Sequence, residues 1–81
     1  MVPDLAVCKL DALPPGRAAI VVSLDAHGIE RRRLLDLGFT LGSIVLSLRR
    51  SPSGDPTAFR VRGSTIALRS EQSKLIAVRP I

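Results

Sequence analysis

The sequence predicts a mainly β domain, five to six short strands closing into a small barrel with one short helix. Two observations carry this reading. Short stretches rich in β-branched residues alternate along the chain, and clusters of Gly, Pro, Ser and Asp separate them. Many short strands in only 81 residues favour closure, which removes exposed sheet edges. A chain of this length holds one domain, residues 1–81, with no repeat or linker dividing it.

Taken in order, Val2 to Leu10 reads as a first short strand, and Leu13-Pro14-Pro15-Gly16 as a stiff turn. Arg17 to Leu24 is the first long strand. Ile20, Val22 and Leu24 share one face and Val21 and Ser23 the other, so both faces are covered over part of its length. From Ile29 to Leu37 the period lengthens to that of a helix, with an apolar stripe through Leu34 and Leu37 and a basic opposite face. Gly38 stands where a helix ends in left-handed backbone, which predicts positive φ there and lets Phe39 fold back onto the helix.

Thr40-Leu41-Gly42 is the next turn. Ser43 to Arg50 is a strand with Ile44, Leu46 and Leu48 on one face, and the run from Ser51 to Pro56 is a loop of strong breakers. Thr57 to Arg62 alternates with Phe59 and Val61 inward and Arg60 and Arg62 outward. Gly63-Ser64 then signals a hairpin, and Thr65 to Arg69 follows with Ile66 and Leu68 inward. Ser70 is the expected N-cap of a single helical turn near residues 71–74, and Leu75 to Val78 closes the sheet. A lone turn before the last strand is a feature of SH3-like barrels. The glycines expected to serve turns are Gly16, Gly38, Gly42 and Gly63.

Composition narrows the function. The net charge is +5, and ten of the twelve basic residues are arginine, the side chain suited to planar contacts with carboxylate or phosphate. Nucleic acid, an anionic membrane and an acidic protein are all compatible partners. Two Phe, no Tyr and no Trp disfavour base stacking and proline-rich peptide grooves. A single cysteine, Cys8, allows no internal disulfide and reads as a small buried apolar residue. Asp4, Lys9 and Asp11 interrupt the N-terminal apolar residues, and no run approaches the ~20 residues of a membrane span; a soluble cytoplasmic protein is expected.

No catalytic set is readable. The one histidine and one thiol, His27 and Cys8, have no partner in a triad, the carboxylates are scattered, and no Gly-rich phosphate loop is present, so the expectation is a non-enzyme without a cofactor. His27, with Asp25 and Glu30 nearby in sequence, is a weak candidate for a divalent ion against the simpler reading of a solvated polar loop. The run Arg31-Arg32-Arg33 is either a solvated helix face or a contact for acidic groups or lipid headgroups. Successive helical residues diverge by about 100°, so at least one of the three lies over the barrel. Leu37 and Phe39 either pack the helix end or dock a partner. Arg49, Arg50, Arg60, Arg62 and Arg69 could meet phosphates, or keep the outer sheet face soluble and guarded against edge pairing.

Five segments, in order along nearly the whole chain, resemble the FeoA family of ferrous-iron transport proteins. They are Leu10 to Gly16 (L-x-x-L-x-x-G), Arg31 to Phe39 (R-R-L-x-x-L-G followed by an apolar residue), Gly42 to Val45 (G-x-x-V), Pro52 to Pro56 (P-x-G-D-P) and Arg62 to Arg69 (R-G-x-x-I-A-L-R). The resemblance implies an SH3-like barrel. It also implies a non-catalytic, cytoplasmic accessory role in ferrous-iron uptake, exerted by binding the membrane transporter FeoB. Arg31, Arg32, Arg33, Leu37 and Phe39 are the candidate contacts. The alternative function is a small basic nucleic-acid-binding barrel, and weak self-association through an unpaired strand is a third expectation.

Overall fold

The computed structural model describes residues 6–81. Six strands form one antiparallel sheet: β1 (Cys8–Lys9), β2 (Ala18–Leu24), β3 (Ile44–Arg50), β4 (Thr57–Val61), β5 (Ser64–Leu68) and β6 (Ile76–Pro80), in the order β1-β6-β2-β3-β4-β5. A 3-10 turn, Leu10–Ala12, follows β1; helix α1 (Gly28–Leu37) joins β2 to β3; and the single turn α2 (Ser70–Ser73) joins β5 to β6. This is the mainly β, SH3-like architecture expected. The sheet curls around one core containing Leu10, Val21, Phe39, Val45, Phe59, Val61, Leu68, Ile76 and Val78, drawn from both of its halves. Its curl is not a closed ladder, however, because β1 and β5 stand at the ends of the strand order.

The expected N-terminal strand is correct only at Cys8–Lys9; Leu10 belongs to the 3-10 turn, and Val2 to Leu5 lie outside the described residues. Cys8 is half-buried against the core rather than fully inside it.

In β2 the core face is Ala19 and Val21, with Ile20 and Val22 half-covered. A bulge between Val21 and Ser23 in the pairing with β6 then turns Leu24 onto the core. Both faces are therefore partly covered, as the strand's apolar character requires.

β3 differs from a simple reading of its leucines. Val45 and Ser47 face the core, whereas Ile44 is exposed and Leu46 and Leu48 are half-buried on the other face. Register fixes this parity: Val45 stands opposite the buried Ala19 of β2 and Val61 of β4, and the ladder continues past it, with Ser47 N–H donating to Arg17 O (3.0 Å) and Ser47 O accepting from Gly16 N–H (2.7 Å). The small Ser47 side chain is fully buried, and among the described residues its Oγ has no hydrogen-bond partner.

The hairpin is shifted by one residue from the sequence reading. Its two turn residues are Arg62 (φ 52°) and Gly63 (φ 82°), flanked by the pair Val61 and Ser64. Two central residues at positive φ define a type I′ turn, whose twist matches the strands it joins. Arg62 is therefore a turn residue, not the last outward residue of β4.

α2 starts at Ser70, with Arg69 in the N-cap position; Ser70 is not the cap. The exposed amides at its start are satisfied by side chains, one from within α2 and one from outside it. Gln72 Oε1 accepts from Arg69 N–H (3.0 Å), and Asp55 Oδ1, from the loop before β4, accepts from Ser70 N–H (2.8 Å). That loop is itself held by Ser51 and Ser53, whose hydroxyls both donate to Asp55 O. The peptide bond between Asp55 and Pro56 is cis.

Candidate interaction surface

Helix α1 ends as its sequence predicts. Gly38 has φ 112°, its N–H donates to Leu35 O (3.0 Å) and the Phe39 N–H donates to Leu34 O (3.1 Å). This paired pattern is a Schellman end, which reverses the chain and drives the next side chain inward. Phe39 is consequently 0% exposed, among the largest buried side chains. As a partner contact Phe39 is thus excluded: it is a core residue that anchors the helix end. Leu37 is half-buried and packs against the core, so it too serves mainly the helix–barrel junction.

The arginine run divides as helical geometry requires. Arg31 is half-buried, while Arg32 and Arg33 are exposed. A single residue of α1, Leu34, is fully buried. Ile29, one turn before Arg33, is 82% exposed. Ile29 and Arg33 lie four residues apart on one helical face. With Glu30, Leu34 and Gln72 of α2 they line a cleft of about 260 Å³ between the two helices.

A second, more open depression of about 480 Å³ lies beyond the helix end, lined by Thr40, Leu41, Gly42, Ser43, Ile44 and Arg62. Leu41 and Ile44 are 60% and 59% exposed, flanking the Gly42 turn. The Arg62 stem lies against Gly38: a Cβ built on Gly38 would stand 3.2 Å from Arg62 Cδ. The hairpin turn and the helix end are therefore one unit, and an arginine in left-handed backbone borders the exposed leucine and isoleucine.

Sequence reasoning found the arginines and missed Ile29, Leu41 and Ile44. For Ile29 and Leu41 the available signal was a place outside every apolar stripe, since Ile29 precedes the Leu34–Leu37 stripe and Leu41 sits within a turn; Ile44 gave none, because it alternates with Leu46 and Leu48. Isolated exposed apolar residues are ordinary on protein surfaces. What sets these apart is their position beside clefts that also hold arginine side chains.

His27 occupies the exposed N-cap position of α1 and its side chain makes no capping hydrogen bond. Among the described residues no three His, Cys, Asp or Glu side chains gather in a way that could hold a metal ion. Among the same residues no helix is long and apolar enough to cross a membrane.

Comparison with known proteins gives a consistent result. A family model described as the FeoA domain matches residues 8–80. A Porphyromonas gingivalis Fe(2+) transport protein A/Fe(2+) transporter FeoB fusion protein is 30% identical over 73 residues, which cover 90% of this chain and 9% of the fusion. This chain thus spans a small fraction of that relative's length. The solution structure of an iron(II) transport protein A from Clostridium thermocellum superposes with a TM-score of 0.87 at 30% identity, over 90% of this chain and 45% of that one. The crystal structure of Stenotrophomonas maltophilia FeoA complexed with zinc, described as an SH3 domain protein, superposes with a TM-score of 0.78 at 31% identity. That match covers 90% of this chain and 94% of the other.

Proposed function

The chain belongs to the FeoA family, and from that premise we propose that it is a non-catalytic accessory protein of ferrous-iron uptake that binds a FeoB-type transporter from the cytoplasmic side. The observation that carries the proposal is the Porphyromonas gingivalis fusion, in which a domain like this one is joined in one chain to FeoB. Covalent linkage of two modules raises their effective concentration to the millimolar range for short linkers, an arrangement that favours modules acting on each other. The Stenotrophomonas maltophilia relative, for which a role as an activating factor of ferrous-iron transport has been suggested, points the same way.

The surface offered to the transporter is the face of α1 bearing Ile29, Arg32 and Arg33. It combines one large exposed apolar side chain with two exposed cations, and neither kind of residue supports the core. An apolar anchor supplies desolvation energy, while rim cations chiefly raise the association rate and its salt dependence.

The test is retention of FeoB from detergent-solubilised host membranes by the tagged chain, at low and moderate salt, beside the R31A/R32A/R33A variant. Wild type retains FeoB and the variant retains several-fold less, more so at low salt, where the arginine charges are least screened. If wild type retains no FeoB at either salt, the transporter is not its partner. Equal retention by the variant removes α1 from the interface.

A further inference from the structure

A different face of the molecule, away from α1, carries a second inference. Strand β5 ends the sheet order, so one of its edges has no neighbouring strand among the described residues. The type I′ turn at Arg62–Gly63 fixes which backbone groups lie there. In a two-residue hairpin the flanking pair, here Val61 with Ser64, exchanges both hydrogen bonds, and bonded and non-bonded pairs then alternate. The β4–β5 register runs without a bulge from Val61 with Ser64 to Thr57 with Leu68. Ser64, Ile66 and Leu68 therefore direct their N–H and C=O groups toward β4, and Thr65 and Ala67 direct theirs outward. No backbone bond from a loop or helix among the described residues reaches either residue.

The side chains beside this edge are unusual. Arg49, Ala58 and Ala67 are in register across β3, β4 and β5, and Leu46, Arg60 and Thr65 form the next row. Between the rows' small residues and the Pro52–Pro56 loop lies a depression of about 570 Å³, floored by Ala58 and Ala67 and lipped by Arg49 and Arg50. Neighbouring strands are about 4.8 Å apart. The small residues at β5 thus leave Arg60, two strand spacings away, free to lean toward any strand added at the edge, and the exposed Arg69 just past β5 shares the alternation of Thr65 and Ala67. β5 itself carries no Pro, Lys or acidic residue, the devices by which edges are usually blocked.

We propose that the β5 edge is a binding site for an extended segment of a partner protein bearing carboxylates on alternate residues. The segment adds a seventh antiparallel or parallel strand. Its backbone pairs with Thr65 and Ala67, and its alternate side chains lie on the outer face toward Arg60 and Arg69. Main-chain pairing supplies affinity in this mode, and alternate side chains supply selectivity. Charge chooses the occupant. A second copy pairing through β5 would bring two sets of Arg60 and Arg69 together across the new ladder, and like charges across an interface are unfavourable. An acidic segment meets the same arginines with the opposite sign.

The probe is an acetylated, amidated hexapeptide alternating glutamate and valine, with glutamine and lysine versions as controls, titrated into the isotope-labelled full chain and followed by NMR. The expected result is slowed amide exchange and the largest shift changes at Thr65 and Ala67. Two partly exposed ion pairs make the glutamate peptide bind roughly tenfold more tightly than the glutamine one. R60E/R69E, both positions exposed, inverts the preference toward the lysine peptide. Ala67→Pro removes an outward N–H and abolishes binding; if that variant loses the folded spectrum, the charge-reversal result decides. Perturbation centred on α1, equal binding of all three peptides, or Thr65 and Ala67 amides already protected without peptide overturns the proposal. Protection that appears with protein concentration alone assigns the edge to a second copy.

Discussion

Strand β6 and helix α1 divide the work of the molecule. β6 lies between β1 and β2 and buries Ile76, Ala77 and Val78 of its five residues. α1 is twice as long and buries Leu34 alone. A strand inside a curled sheet touches neighbours along its length. A helix inserted between two strands can rest on one leucine and its end, leaving the remaining surface free of packing duties. Substitutions on the barrel side should therefore appear as lost stability, and those on the outer face of α1 as lost binding.

The largest expected effect lies where the two regions meet. Phe39→Ala should cost about 3–5 kcal/mol, because it empties a fully buried aromatic site at the helix anchor. Native domains of this kind are stable by only about 5–15 kcal/mol, so chemical denaturation should show a variant near the limit of folding. A loss under about 1 kcal/mol would mean that the helix end is not anchored through Phe39, and the division between the regions would fail at its joint.

Gly38→Ala comes next. Its φ of 112° is a conformation L side chains rarely adopt, and the new Cβ would press on Arg62 Cδ at 3.2 Å. Strain of this type costs about 1–3 kcal/mol, read as a fall in melting temperature of roughly 4–8 °C per kcal/mol for a domain of this size. Because the contact is to the hairpin turn, the same variant should also shift NMR signals at Arg62 and Gly63. A variant as stable as wild type would show that the Schellman end is dispensable.

Asp55→Ala is smaller still. The Asp55 carboxylate accepts a hydrogen bond from the exposed Ser70 N–H at the start of α2. Its loss should cost about 1 kcal/mol, the usual worth of a helix-start acceptor, and Asp55→Asn should restore part of it. Equal stability of Asp55→Ala and wild type would assign the loop's form to the Ser51 and Ser53 hydroxyls on Asp55 O instead.

These three sites also mark what the sequence makes legible. The Gly38 end was readable because a glycine after a leucine stripe has few other uses, and its φ followed. Strand positions were readable from alternation and from breakers between them. Facing was less so. Ile44, Leu46 and Leu48 look like a core stripe, yet Val45 and Ser47 hold the inside, because the register that sets Val45 opposite Ala19 and Val61 is a long-range pairing that no local pattern encodes. The bulges at Val21/Ser23 and Ser47/Arg49 change parity in the same hidden way. Asp55 looked like a turn residue, and its service to Ser70, fifteen residues later, becomes visible only in the fold. At the candidate surface, charge was legible and shape was not. Three consecutive arginines announce themselves, whereas an exposed isoleucine at position 29 reads like any other apolar residue until its environment is seen.

Ile29→Ser has the smallest expected effect on stability and is the sharpest test of the division. At 82% exposure the side chain loses almost no burial on truncation, so the change should stay within about 0.5 kcal/mol. Retention of FeoB should nevertheless fall, since an apolar anchor in the cleft beside Arg33 is lost. Pairing it with Arg33→Ser separates the two contributions: the arginine change should weaken retention more at low salt than at high, and the isoleucine change equally at both, because screening acts on charge and not on apolar contact. A stability loss above about 1 kcal/mol for Ile29→Ser would place that residue within the fold's packing after all. The outer face of α1 would then belong with the barrel rather than against it.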